Sequence, residues 1–163
     1  MPATNKYLRI FLADLVHDFL PGNYVLPLNI GLMSAYLKNN FGTAVDIRLF
    51  KSPEKLLDAL KLGPAPHILG FSNYSWNQEI NRSIGNKVRS RLPETVICAG
   101  GPHIRTDNAG IQAYLQENDI IDYYCMFEGE IPLGNIVERM LSIGVGNKKK
   151  VSEQLPGVAY LVD

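Results

Sequence analysis

His67-Ile-Leu-Gly-Phe-Ser-Asn-Tyr-Ser-Trp-Asn77 and the fifteen residues after it decide the fold. An apolar run of strand length, residues 67–72, passes through a polar turn into residues 76–92, where Ile80, Ile84, Val88 and Leu92 recur every fourth position. That period lays one apolar stripe along a helix. Thr95-Val-Ile-Cys-Ala99 follows, apolar without alternation, the pattern of a strand covered on both faces. A strand, a helix and a second strand in succession imply a crossover, and with it parallel pairing.

The same alternation continues in both directions. Residues 7–13 read as a first strand and residues 29–39 as a helix with Ile30, Met33 and Leu37 on one face, stopped at Phe41-Gly42. In residues 44–50, Val45, Ile47 and Leu49 alternate with Asp46 and Arg48, giving a second strand with one wetter face. Ser52-Pro53-Glu54 opens a helix: a serine cap, a proline in the first turn and an acid near the positive end of the dipole. Leu56, Leu57 and Leu60 carry it to Gly63-Pro64. Downstream come a helix at 108–116, a fifth strand at 120–126 and a last helix at 131–143 with Ile136, Val137, Met140 and Leu141. The expected fold is α/β: a doubly wound (Rossmann-like, flavodoxin-like) three-layer sandwich. Its parallel sheet has five strands in the order 2-1-3-4-5, with residues 158–162 as an extra edge strand.

Composition narrows the function. A chain of 163 residues suits one domain with a single core, and 46% apolar with 20% charged residues excludes a disordered tail. Sixteen basic and sixteen acidic side chains cancel, which argues against a nucleic-acid partner. No apolar run approaches the ~20 residues that span a bilayer. Residues 1–6 are polar, unlike a signal peptide, so no membrane partner and a cytoplasmic location are expected. Two cysteines, Cys98 and Cys125, and three scattered histidines give neither a disulfide framework nor zinc or iron–sulfur ligand spacing. No side chain here is expected to ligate a metal, and none stands out as catalytic. Any metal is expected to arrive inside a cofactor.

In such a sheet ligands bind outside the carboxyl ends of the strands, at the switch point between strands 1 and 3. Four loops lie there, and their residue types point to a large, neutral, partly aromatic ligand. Ser72, Asn73, Tyr74, Ser75 and Trp76 crowd hydrogen-bonding groups and flat rings into one connection. Equally, Ser75 or Asn77 caps the next helix and Trp76 packs in the core. Gly100-Gly101-Pro102-His103 reads either as a tight turn or as backbone left bare for close approach. Glu128-Gly129-Glu130 places acids beside a helix N-terminus, where they cap it or accept from ligand amides. A dinucleotide fingerprint, a Walker loop, a flavodoxin phosphate cradle and a receiver aspartate are all missing from these positions.

Four stretches in this order resemble the N-terminal cobalamin-binding domain of B12-dependent radical SAM proteins. They are Val25-Leu-Pro-Leu-Asn-Ile-Gly-Leu-Met-Ser-Ala-Tyr-Leu37, Ile68-Leu-Gly-Phe-Ser-Asn-Tyr-Ser-Trp-Asn77, Gly100-Gly-Pro-His103 and Asp122-Tyr-Tyr-Cys-Met-Phe-Glu-Gly-Glu130. The resemblance covers nearly the whole chain. It implies that Ser72-Asn73-Tyr74 stands where the family has Ser-x-Leu, and that Gly100-Gly101 is the family's glycine pair. Both would line the slot for the nucleotide tail, with Pro102 and His103 at its rim. Leu26, Pro27, Leu28 and Asn29 would lie under the corrin, and Glu128, Gly129 and Glu130 would meet the nucleotide side. The Asp-x-His-x-x-Gly motif of the methionine-synthase type is absent: the loop reads Asp14-Leu-Val-His17-Asp18-Phe-Leu-Pro-Gly22. Cobalamin is therefore expected base-off, with no protein histidine on cobalt. The resemblance further implies that residues 1–147 form the cobalamin domain and 148–163 lead to a radical SAM barrel in cis, which would carry a 4Fe-4S cluster and S-adenosylmethionine. This chain would then be a non-catalytic piece of a parent that transfers methyl to an unreactive carbon or runs a related radical reaction. A degenerate domain that only docks the barrel, and a different small-molecule binder at the same crevice, stay as alternatives.

Overall fold

The computed structural model describes residues 7–17, 26–144 and 154–161. The predicted loop at Pro21-Gly22, the surface run Lys148–Lys150 and the end of the last strand at Val162 lie outside the described residues.

Among the described residues, six strands form one sheet in the order β2-β1-β3-β4-β5-β6. They are β1 (Leu8–Ala13), β2 (Val45–Phe50), β3 (Ile68–Ser72), β4 (Val96–Gly100), β5 (Tyr123–Cys125) and β6 (Val158–Ala159). The first five are parallel, in the expected order 2-1-3-4-5. The extra edge strand is present and antiparallel to β5. Five helices join them: α1 (Leu28–Phe41), α2 (Pro53–Leu62), α3 (Gln78–Arg91), α4 (Asn108–Glu117) and α5 (Glu130–Ile143).

Strand alternation splits the core into two layers. Leu8, Ile10, Leu12, Ile68, Val96, Cys98, Tyr123 and Cys125 face α1 and α5 and pack on Ile30, Leu37, Leu133, Ile136 and Val137. Phe11, Ala13, Leu69, Phe71 and Ile97 face α2 and α3 and meet Leu56, Ala59, Ile84 and Val88. A smaller cluster of Ala99, Leu115, Tyr124 and Met126 lies under α4. Every residue of β3 is buried, as its unbroken apolar run requires.

Several boundaries move from their sequence positions. The third helix begins at Gln78, not at residue 76, because Asn77 turns the chain first: its Oδ1 accepts from the Tyr74 N–H at 2.9 Å, and its Nδ2 donates to the Leu15 carbonyl at 3.3 Å. The first helix runs through Phe41, and Gly42 ends it with φ of 53°. Ala44 falls in a short 3₁₀ turn ahead of β2. The fifth strand is only three residues long, because residues 118–121 close a turn in which the Ile121 N–H donates to the Asn118 carbonyl. Ser52 caps α2 as read, its hydroxyl accepting from the Lys55 N–H. Among the described residues no helix is long and apolar enough to cross a membrane, and no cluster of three His, Cys, Asp or Glu side chains could hold a metal ion.

Candidate functional site

Register builds the site's floor. Ser72 pairs with Gly100, and Gly100 with Cys125, so these three sit side by side at the carboxyl edge. By strand alternation all three face the α1–α5 layer. Above them opens a crevice of about 550 Å³, walled by Asn29 and Met33 of α1, Tyr74, Gly101, Phe127 and Glu130. A second hollow of about 620 Å³ adjoins it through Asn29, Leu32 and Tyr74 and reaches Asp14, Lys51 and Trp76.

Asn29 ties the two together. Its Nδ2 donates to the Ser72 hydroxyl at 2.8 Å and to the Tyr74 Oη at 3.4 Å, while its Oδ1 accepts from the Ile30 N–H at 2.8 Å. The result is a neutral polar strip linking α1 to β3 beneath open space. The Tyr74 ring stacks on Trp76, centroids 4.4 Å apart and planes 7° from parallel. Trp76 is 59% exposed, so it is not a core residue. Leu26, Leu28 and Leu32 on one side and Phe127 and Ile131 on the other are exposed as well, giving the mouth an apolar rim.

Two groups here carry a cost. Phe127 holds φ of 57°, a left-handed backbone on an exposed aromatic residue. Asp14, at the end of β1, has its carboxyl pushed above the usual aspartate range by loss of water, opposed by Lys51 and the Asn29 amide.

Not every expected site residue reaches the crevice. Asn73 is buried on the opposite face, where its Nδ2 donates to the Tyr114 hydroxyl at 2.7 Å, with the Tyr124 hydroxyl and the His103 carbonyl at 3.5 Å. His103 turns with it and lines a separate groove beside Arg105, Tyr114 and Glu117. Asn73 departs from the expected slot because it follows Ser72 by one residue and turns to the other face, and His103 is held beside it, its N–H donating to the Asn73 carbonyl at 3.4 Å. Ser75 and Glu128 are exposed beside the site and line neither hollow. Gly101 has φ of 130°, and a Cβ there would meet the Asn73 carbonyl oxygen at 2.5 Å, so packing between the β3 and β4 loops by itself requires glycine. Gly129 sits at the N-terminus of α5; Glu130, in its first turn, borders the crevice. Pro102 borders it too, while Leu26, Pro27 and Leu28 line the adjoining hollow. His17 is engaged: its Nε2 lies 2.9 Å from the Trp76 carbonyl oxygen. Sequence reasoning passed over Met33, Thr106, Phe127 and Lys51, which only tertiary packing brings to the site.

No family model matches the chain. Among curated proteins it is 26% identical over 123 residues to the cobalamin-dependent radical SAM methyltransferase TokK of Streptomyces tokunonensis, covering 72% of this chain and 17% of TokK. Over 120 residues it is 28% identical to the 2-(S-pantetheinyl)-carbapenam-3-carboxylate methyltransferase of Streptantibioticus cattleyicolor, covering 71% of this chain and 17% of that enzyme. The chain thus spans only 17% of the length of either relative. Among solved structures, the cobalamin-dependent S-adenosylmethionine radical enzyme OxsB, with aqua-cobalamin and S-adenosylmethionine bound, superposes with a TM-score of 0.67 at 14% identity, over 96% of this chain and 21% of OxsB. A cobalamin-binding protein from Desulfitobacterium hafniense DCB-2 gives 0.57 at 15% identity, over 83% of this chain and 59% of that one. The family resemblance read from the four sequence stretches therefore recurs in the relatives, and the structural neighbours share the fold.

Proposed function

We propose that this chain is a cobalamin-binding domain that works beside a radical SAM barrel in cis, with residues 1–147 forming the domain and 148–163 leading away from it. One observation carries the reading. The carboxyl edge opens into a crevice with a neutral polar strip of Asn29, Ser72 and Tyr74 as its floor and exposed apolar side chains as its rim. A corrinoid has that chemistry: a broad apolar macrocycle fringed by neutral amides. The names of the sequence relatives and of the structural neighbours point the same way.

In this reading Leu26 to Asn29, Tyr74 and Trp76 support the macrocycle, and Ser72, Gly100 and Gly101 border the passage of the nucleotide tail. Gly129 and Glu130 border the nucleotide side. Asn73 and His103 hold the β3 and β4 loops in place from behind. His17 is already bonded to the Trp76 carbonyl, which supports base-off binding with no protein histidine on cobalt. Bound cobalamin would supply methyl-carrying chemistry that no side chain of this chain offers. The chain's own work is to bind the cofactor, orient it and keep water from one of its faces. The whole enzyme would add a 4Fe-4S cluster and S-adenosylmethionine, in the cytoplasm, and place the methyl on an unreactive carbon.

A second reading, a degenerate domain that only docks the barrel, is favoured by the inner end of the crevice, where side chains leave about 20 Å³. The test is direct. Purified chain is mixed with hydroxocobalamin, freed of unbound ligand and examined by visible absorption. Retained colour with a base-off band is the expected result; a colourless protein selects the docking reading.

A further inference from the structure

Residues 154–161 cross the sheet edge beside the crevice. Within them β6 is only two residues long and half-buried, with Val158 opposite Cys125 and Ala159 opposite Tyr124. A pairing that short holds only where side chains add to it. Here they do. The Asn135 amide of α5 donates to the Pro156 carbonyl at 2.9 Å, and the Tyr160 ring meets Tyr123 edge to face at 5.8 Å. Leu155, Val158 and Tyr160 pack against the α1–α5 layer of the core.

Gly157 is where this segment touches the site. Its carbonyl accepts from the Met126 N–H at 2.8 Å, one residue before Phe127. It holds φ of 75°, and a Cβ there would come within 2.7 Å of the Pro132 Cγ, so the segment lies tight on the first turn of α5. Met126 and Phe127 border the crevice, whereas Gly157, Pro132 and Asn135 line neither hollow. The left-handed backbone of Phe127 persists only where its neighbours fix it. On its carboxyl side α5 does so, the Leu133 N–H donating to the Gly129 carbonyl at 3.0 Å; on its amino side the bond to Gly157 does.

We infer that residues 154–161 are a positioning segment for the cobalamin site: docked on β5, they hold Met126 and so set Phe127 toward the ligand from outside the crevice. The inference rests on the cobalamin reading and adds a control point to it. Docking of the segment and binding of the ligand then favour each other, by the same factor in both directions.

Hydrogen exchange on the unaltered 163-residue chain tests the coupling. The Val158 amide donates to the Leu155 carbonyl within the segment and lies outside the crevice lining. Saturating aquacobalamin is expected to slow its exchange at least about fivefold. Gly157→Asn keeps a residue that tolerates left-handed backbone but adds the Cβ that Pro132 excludes. It is expected to weaken aquacobalamin at least about fivefold in a visible-absorption titration, and adding Pro132→Ala, which removes the Cγ, should restore affinity. In a Phe127→Gly background Gly157→Asn should cost nothing further, whereas a segment that served stability alone would cost the same in both. Bound cobalamin with unmoved Val158 exchange overturns the inference and leaves the cobalamin reading standing, as does full affinity in a folded Gly157→Asn chain. If that variant loses its circular dichroism, the exchange result decides. If the unaltered chain binds no aquacobalamin, the cobalamin reading falls and takes the inference with it.

Discussion

Ser72 and Asn73 stand next to each other at the end of β3, on opposite faces of the same sheet edge. The Asn73 face is finished: its amide meets the hydroxyls of Tyr114 and Tyr124, and the Tyr124 hydroxyl donates to the Gly101 carbonyl at 2.8 Å. The Tyr114 and Tyr124 rings meet edge to face at 5.6 Å. On the Ser72 face, the hydroxyl and the Asn29 amide lie under open space, with an exposed apolar rim above. A polar group satisfied by its own protein stabilises the fold, and one left facing a hollow is available to a ligand. The Asn73 amide therefore holds the loops, and the crevice over Ser72 is where cobalamin binding is to be sought.

That contrast breaks most sharply under substitution of the two neighbours. Ser72→Trp fills the crevice mouth and should lower cobalamin affinity by about a hundredfold or more, ~2.7 kcal/mol, in equilibrium dialysis, with far-ultraviolet circular dichroism retained. Loss of colour retention with loss of structure would leave the contrast unproven, so Asn73→Ala is its partner. Asn73→Ala should destabilise the fold by about 1–3 kcal/mol in urea, because buried tyrosine hydroxyls lose their donor, while cobalamin affinity of the folded protein stays as it was. If the two substitutions exchanged effects, the division of labour argued here would be reversed.

A smaller effect is expected at the rim. Phe127→Gly removes a left-handed non-glycine residue and should stabilise the apoprotein by about 1 kcal/mol in urea. It also deletes an exposed ring beside the crevice, so cobalamin affinity should fall. Raised stability with undiminished affinity would mean that Phe127 serves neither face.

The smallest effect sharpens the comparison from the amino end of β3, far from any ligand. His67 Nδ1 accepts from the Arg9 N–H at 2.8 Å, and lost hydration, with Arg9 nearby, lowers its pKa below the ordinary 6.5. The native state then binds fewer protons than the unfolded chain, so this contribution is complete above 6.5 and lost as pH falls through the folded value. Thermal melts between pH 7 and 5 should show falling stability, with a flatter profile in His67→Asn, which keeps an acceptor near the same place. Equal slopes in the two proteins would assign the pH dependence elsewhere.

Most of the architecture was legible before any coordinates. Unbroken apolar runs at β3 and β4, a fourfold period at Ile80 to Leu92 and the Ser52-Pro53 helix start are local signals, and local physics writes them directly. The boundaries that moved did so where a distant partner intervened, as when Asn77 reached the Leu15 carbonyl and postponed α3. Half of the site was legible too. Strand period alone separates Ser72 from Asn73, so the expectation that both line one slot could have been refined from alternation.

The amino-acid order by itself determined a parallel sheet, its strand order and the edge at which polar loops collect, because helix and strand periods act over a few residues. Only the tertiary structure decided that Met33 lies against Gly129, that Asn29 bridges to Ser72 and that Trp76 lies out on Tyr74. Those outcomes depend on how α1, α5 and the strand ends approach one another, and packing across long sequence separations leaves no local periodic trace.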